Sequence, residues 1–252
     1  MDRAEDHLWW YRSLHTYLLD ALLSSTAPIG VKDGVPNSVP NNVPGSAPVL
    51  DAGCGSGGLL RALAQANPQS MRIGLERFEP AATRARAKSD AAIVVGTVNA
   101  LPFEDRSFGA IICADVLYHR DVDPPRALRE SLRCLLPGGL LLINVPAFQW
   151  LSSYHDQRVH GARRFRRQQL TQLLQDAGFT RIAMHYWNSL LFPVMVARRL
   201  RPAPADTVSD VGALPPALNA ILTAIVALER RMIRLGLRFP AGGSILAVAR
   251  KP

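Results

Sequence analysis

The chain has 252 residues, 48% of them hydrophobic, and a formal net charge of +9; that is enough length and apolar content to bury one large α/β core. Cys54, Cys113 and Cys134 are odd in number and widely separated, which argues against a disulfide framework or a zinc site and suits a reducing cytoplasm. The positive charge is nearly all arginine, with only Lys32, Lys88 and Lys251 as lysines. It comes without an aromatic-interleaved basic run or helix-turn-helix pattern, so no nucleic acid is expected, and an anionic small molecule or a lipid surface explains it at least as well.

In chain order, residues 1–26 form an amphipathic helical cap, with Leu8, Tyr11, Leu14, His15, Leu18 and Leu22 at helical spacing. The charged, aromatic start lacks the apolar core of a signal peptide, and no apolar stretch reaches the ~20 residues that span a bilayer. Residues 27–47 carry Pro28, Pro36, Pro40 and Pro44 among Gly, Asn and Ser, and are expected to be a linker that holds neither a helix nor a central strand. Strands and helices then alternate: strand 48–51, helix 58–66, strand 71–75, helix 79–88, strand 91–95, strand 109–113, helix 124–135 and strand 139–145. Helix 167–177, strand 180–186, helix 190–200 and strand 244–250 follow. Alternation of this kind specifies a doubly wound, mostly parallel sheet with helices on both faces, a Rossmann-like α/β fold. Before the last strand, Leu218, Ile221, Leu222, Ile225, Leu228, Met232 and Leu235 make a helical stripe beside the charged end Glu229-Arg230-Arg231. Packing in a core or lid is the expected use, and a basic amphipathic helix of this kind also suits peripheral membrane contact.

The chemistry is concentrated where strand 48–51 meets the next helix, in Asp51-Ala52-Gly53-Cys54-Gly55-Ser56-Gly57. Glycines let the main chain turn sharply and approach a ligand closely. Such a turn binds a dinucleotide, binds another adenosine cofactor, or packs a helix tightly. Glu76 ends the strand that follows, one helix downstream of Asp51, the position from which a carboxylate accepts hydrogen bonds from both ribose hydroxyls.

With GTVNALPFEDRSF from Gly96, IICADVLYH from Ile111 and LLPGG from Leu135, these segments resemble the class I S-adenosylmethionine-dependent methyltransferases over residues 48–147. The resemblance implies a seven-stranded sheet with an antiparallel last strand, and S-adenosyl-L-methionine as cofactor without a metal. Gly53, Cys54, Gly55 and Gly57 would line the methionine and ribose, and Asp51 would organise the loop. Glu76 would hold the ribose, and Arg77 with Phe78 would flank the adenine. Where the family commonly has an acid for the adenine amino group this chain has Thr97, which leaves Val98 and Asn99 to share adenine recognition. Ala114 and Asp115 would face the methionine end, with Leu117 beneath. Trp9, Trp10 and Tyr11 resemble a W-W-Y start seen in one subset, where the first helix closes over the cofactor.

Removing a proton from an oxygen or nitrogen acceptor requires a base near the methyl. Tyr118 and His119 follow the fourth strand, and residues 148–252 supply the acceptor side. There Ser153 to Phe165 resembles an H-D-x-x-x-G-H-x-R-R-Y segment of the same subset. His155 and Asp156 match it in place, as a base with an orienting carboxylate or as structural ties; His160-Gly161 reverses the Gly-His pair. Arg163 or Arg164 is a candidate anchor for an anionic acceptor, whereas Arg166 and Arg167 read as a solvated helix start. The expected activity is methyl transfer to a small-molecule or lipid-like acceptor, with oxygen preferred. An NAD-dependent oxidoreductase and a cofactor-binding, membrane-associated adaptor are the alternatives.

Overall fold

The computed structural model describes residues 7–23, 26–27, 39–40, 47–152, 161–199 and 214–252. One seven-stranded sheet organises them: β1 (Val49–Ala52), β2 (Arg72–Glu76), β3 (Ala92–Val95), β4 (Phe108–Ala114), β5 (Leu135–Pro146), β6 (Thr180–Trp187) and β7 (Ser244–Arg250). The order is β3-β2-β1-β4-β5-β7-β6. The first five strands are parallel, and β7 runs antiparallel between β5 and β6. A dinucleotide fold of order 3-2-1-4-5-6 has no such inserted strand.

Both faces of the sheet are buried, so its central strands read as unbroken apolar runs. Alternate β5 residues serve the two faces. Leu141, Ile143 and Val145 join Leu50, Phe108 and Ile111 under α4 (Pro124–Cys134) and α5 (Arg167–Asp176). Leu140 and Leu142 join Leu60, Ile112 and Trp187 under α1 (Trp9–Leu23), α2 (Gly58–Ala66) and α7 (Pro216–Arg234). α3 (Glu79–Ser89) follows β2, and the short α6 (Phe192–Arg199) follows β6. Pro124 starts α4 where its missing N–H is not needed. The Asp123 carboxylate caps the same helix by accepting from Arg126 N at 3.3 Å.

Three expectations need amendment. β5 begins at Leu135, where Leu135 pairs with Phe108, and a register shift carries LLPGG into the strand before Ala110 meets Leu140. Where the cap meets the stretch read as a linker, Thr26–Ala27 pairs antiparallel with Val39–Pro40, apart from the main sheet; residues 28–38 and 41–46 lie outside the described residues. The α7 stripe does not face inward as a whole. Val226, Glu229 and Ile233 form its buried line, whereas Leu218, Ile221, Leu228 and Leu235 are exposed. Glu229, counted with the charged end, lies beneath the chain turn after β6 and accepts from Ser189 N at 2.7 Å and Leu190 N at 2.8 Å. Burial raises its carboxyl above the usual range, and those N–H donors pull the other way.

Candidate active site

The turn after β1 is left-handed at each glycine, with φ of 96° at Gly53, 55° at Gly55 and 87° at Gly57. The reasons for glycine differ. A Cβ on Gly53 would lie 2.4 Å from Val116 Cγ2, and one on Gly57 would press on the α3 backbone at Ala85, 3.0 Å away. A Cβ on Gly55 would meet nothing within 4 Å. Two of the glycines therefore serve packing, and the third turns bare main chain toward open space, the geometry a cofactor tail needs.

Glu76 fixes this turn. Its Oε2 accepts from Gly55 N at 2.9 Å and its Oε1 from Phe78 N at 2.8 Å, while Gly53 N and Cys54 N both donate to the Leu75 carbonyl. Each carboxylate oxygen keeps acceptor capacity, so Glu76 is placed both to hold the loop and to accept ribose hydroxyls. Asp51 is buried in β1, and Cys54 is buried within the turn. Burial first, then the Asp51 and Asp115 carboxylates, push the Cys113 thiol up to about 12, so that thiol stays protonated and unreactive.

On the side expected to take the adenine, Thr97 Oγ1 accepts from Asn99 N at 3.2 Å and Val98 is buried. The Asn99 side chain reaches across: its Nδ2 donates to the Asp121 carbonyl and its Oδ1 accepts from Asp123 N, each at 2.9 Å. Asn99 thus ties the loop before α4 to the end of β3. Arg77 pairs with Asp121 at 2.8 Å, which closes the same rim from β2. Phe78 stands 61% exposed beside them, a free aromatic face for a purine.

Beyond the carboxyl ends of β4 and β5 lies the side expected to take the acceptor. Ala114 ends β4, and Asp115 takes a left-handed φ of 53° and sends its carboxylate to Asn144, whose Nδ2 donates to Oδ1 at 2.8 Å. Asn144 Oδ1 in turn accepts from Trp187 Nε1 at 2.7 Å. Burial pushes the Asp115 carboxyl up to about 7, against the Asn144 hydrogen bond and the Arg164 guanidinium, which favour ionisation. A carboxyl balanced near neutrality can take a proton from an acceptor. Trp10 of α1 stacks on Trp187 with centroids 4.6 Å apart, so the first helix is docked over this end of the sheet; Tyr11 beside it is half-buried.

Tyr118 and His119 stack at 4.3 Å. Their loop is pinned by the segment before α5: Ala162 N donates to the Tyr118 carbonyl, and His119 bridges Gly161. Arg163 Nη1 donates to the Leu117 and Val122 carbonyls at 3.2 and 2.7 Å, so it holds this loop. Arg164 Nη1 donates to the Ala147 carbonyl at 3.2 Å, and its charge acts on Asp115. Arg167, read as solvated, lies 5.8 Å over the Tyr186 ring. His155, Asp156 and His160 lie outside the described residues. Phe148 stacks on Tyr186 at 5.3 Å and approaches Trp150 and Phe192, an aromatic wall past the ends of β5 and β6. Phe148 adopts φ 58°, unusual for a bulky residue and found where the surroundings force it.

The sequence reading missed Asn144, Trp187 and the aromatic wall. Asn144 did leave a trace: it is the one polar side chain in LLLINVP, and a polar group inside a buried strand must find partners.

Residues 50–143 match the methyltransferase domain family. The chain is 33% identical over 151 residues to an uncharacterized 37.1 kDa protein in transposon Tn4556 of Streptomyces fradiae, covering 52% of this chain and 42% of that one. It is 34% identical over 112 residues to the human protein named probable tRNA methyltransferase 9B, covering 44% and 24%. The chain thus spans less than half the length of these relatives. Among solved structures, the putative methyltransferase of Haloferax volcanii, in complex with the Trm112 methyltransferase activator, superposes with a TM-score of 0.56 over 99% of this chain and 97% of that one at 21% identity. Family match, sheet order and the glycine turn with its strand-end acid agree. Residues 50–143 thus match a methyltransferase domain, and the chain shares its fold with solved S-adenosylmethionine-dependent methyltransferases.

Proposed function

We propose that this chain transfers a methyl group from S-adenosyl-L-methionine to a small-molecule or lipid-like acceptor, with oxygen preferred, in the cytoplasm. The observation that carries the reading is the pairing of an open glycine turn, clamped by Glu76, with Asp115 a short way along the same sheet edge. Bound there, the cofactor supplies a methyl on a positively charged sulfur. Gly55, Glu76 and Phe78 hold its amino-acid, ribose and adenine parts. Asp115, oriented by Asn144, takes the acceptor proton, and alignment in a water-poor crevice supplies most of the acceleration. Arg164 beside Asp115 suits an anionic acceptor group, and the Phe148, Trp150, Tyr186 and Phe192 wall suits an apolar one. His155 and Asp156 are proposed to complete this side. An oxidoreductase reading has no support in the sheet order or the family match.

The human relative's name favours a second reading, a tRNA acceptor, although that similarity covers only 44% of this chain. Incubation with methyl-labelled cofactor and fractionated extract separates the two. Label in the lipid or small-molecule fraction supports the proposal. Label confined to RNA replaces it, and no transfer to any fraction favours the adaptor.

A further inference from the structure

The outward face of α7 has no covering among the described residues. Leu218, Ile221, Leu228 and Leu235 are 42%, 56%, 55% and 82% exposed, with exposed Ala220, Ala224 and Ala227 filling the surface between them. No charged residue occurs from Pro216 to Leu228, over ~18 Å of helix at ~1.5 Å per residue. A helix facing water would carry polar residues there. The charges are gathered in the last two turns, and the acid among them, Glu229, is buried beneath Ser189 and Leu190. Outward there remain Arg231, Arg234 and, just past the helix, Arg238. Asp20 of α1 faces this end, and it already pairs with Arg230 and Arg234.

We propose that this face docks the protein on an anionic bilayer, with the leucine and isoleucine side chains in the headgroup region and the terminal arginines on lipid phosphates. Charge complementarity selects the lipid over a second copy of the chain. Two α7 faces brought together would set arginines against a helix surface whose one carboxylate is turned inward, whereas a phosphate-rich layer matches apolar side chains flanked by guanidinium groups. α7 is also bound to the cap: Asn219 Oδ1 accepts from Trp9 N at 2.8 Å and its Nδ2 donates to the His7 carbonyl at 3.0 Å. Docking would therefore bring α1, which lies over the Asp115 end of the sheet, to the lipid surface. The proposal holds for any acceptor, because it rests on α7 alone.

Co-sedimentation of the full chain with phosphatidylglycerol–phosphatidylcholine vesicles, against phosphatidylcholine alone, tests it. The wild-type protein should pellet with the anionic vesicles and be partly released by salt, as expected for screened charges. Leu228→Glu with Ile221→Glu should weaken binding about tenfold or more while thermal unfolding stays unchanged, since both positions face outward. Arg231→Gln, which removes a charge from the rim of this face, should weaken it about fivefold. Wild-type protein left in the supernatant, or variants that bind as well as wild type, would overturn the proposal. So would a wild-type dimer in sedimentation velocity that the double variant dissociates, which would make a second copy the occupant.

Discussion

Asp115 is subject to two opposed demands, since burial favours its neutral form while Asn144 and Arg164 favour its ionised form. As the proton acceptor it must be ionised, so kcat should rise with pH through about 7 and level off above. Asp115→Asn should lower kcat by roughly 10²- to 10³-fold and abolish that limb. Asn144→Ala removes a donor to the carboxylate and should move the limb to higher pH. It also leaves the buried Trp187 N–H without its acceptor, at about 1–3 kcal/mol of stability. The sign for folding runs the other way from a salt-bridged acid. Because its folded-state value lies above the ordinary carboxylate value of about 3.9, the fold keeps this proton where the unfolded chain has lost it. Asp115 therefore subtracts stability as pH rises from about 4 to about 7, and Asp115→Asn should be the more stable protein at neutral pH. Stopped or steady-state rates across pH, with denaturant melts of both variants, check these outcomes; a flat wild-type profile would remove Asp115 as the base.

At the level of elements, helical period identified α1 and α7 but not which arc of each faces inward. Apolar residues occupy more than half the circumference of α7, so the pattern alone gives no phase; the buried line through Val226, Glu229 and Ile233 is set by what α1 and the turn after β6 present to it. α1 is anchored at both ends, by Trp9 N on Asn219 and by Asp20 on Arg230 and Arg234, with Trp10 on Trp187 and Tyr17 tilted against the same ring at 5.0 Å. Trp10→Ala should cost about 2 kcal/mol, less than a fully buried tryptophan because Trp10 is only half-buried. Denaturant melts measure that loss. In a fluorescence comparison, quenching by an external quencher should reach Trp187 in the variant and not in the wild type; an unchanged melt and unchanged quenching would mean that α1 is held without the stack.

For the whole molecule, the parallel half of the sheet was legible because each strand is a short apolar run set off by glycines, prolines or caps, and the glycine turn and Glu76 are separated by a single helix and strand. The line from Trp10 through Trp187 and Asn144 to Asp115 was not. Its members come from the first helix, the sixth and fifth strands and the end of the fourth, and they meet only when β7 inserts between β5 and β6 and sets β6 beyond it. Glu76 and Asp115 stand at either side of the open turn at Gly55, and the account depends on that turn receiving the sulfonium cofactor. Calorimetric titration with S-adenosylhomocysteine tests this most directly. The account predicts one site per chain and an affinity about 10- to 100-fold weaker in Glu76→Ala, from loss of a charge-assisted hydrogen bond. No heat with the wild-type protein, or equal affinity in the variant, would contradict it.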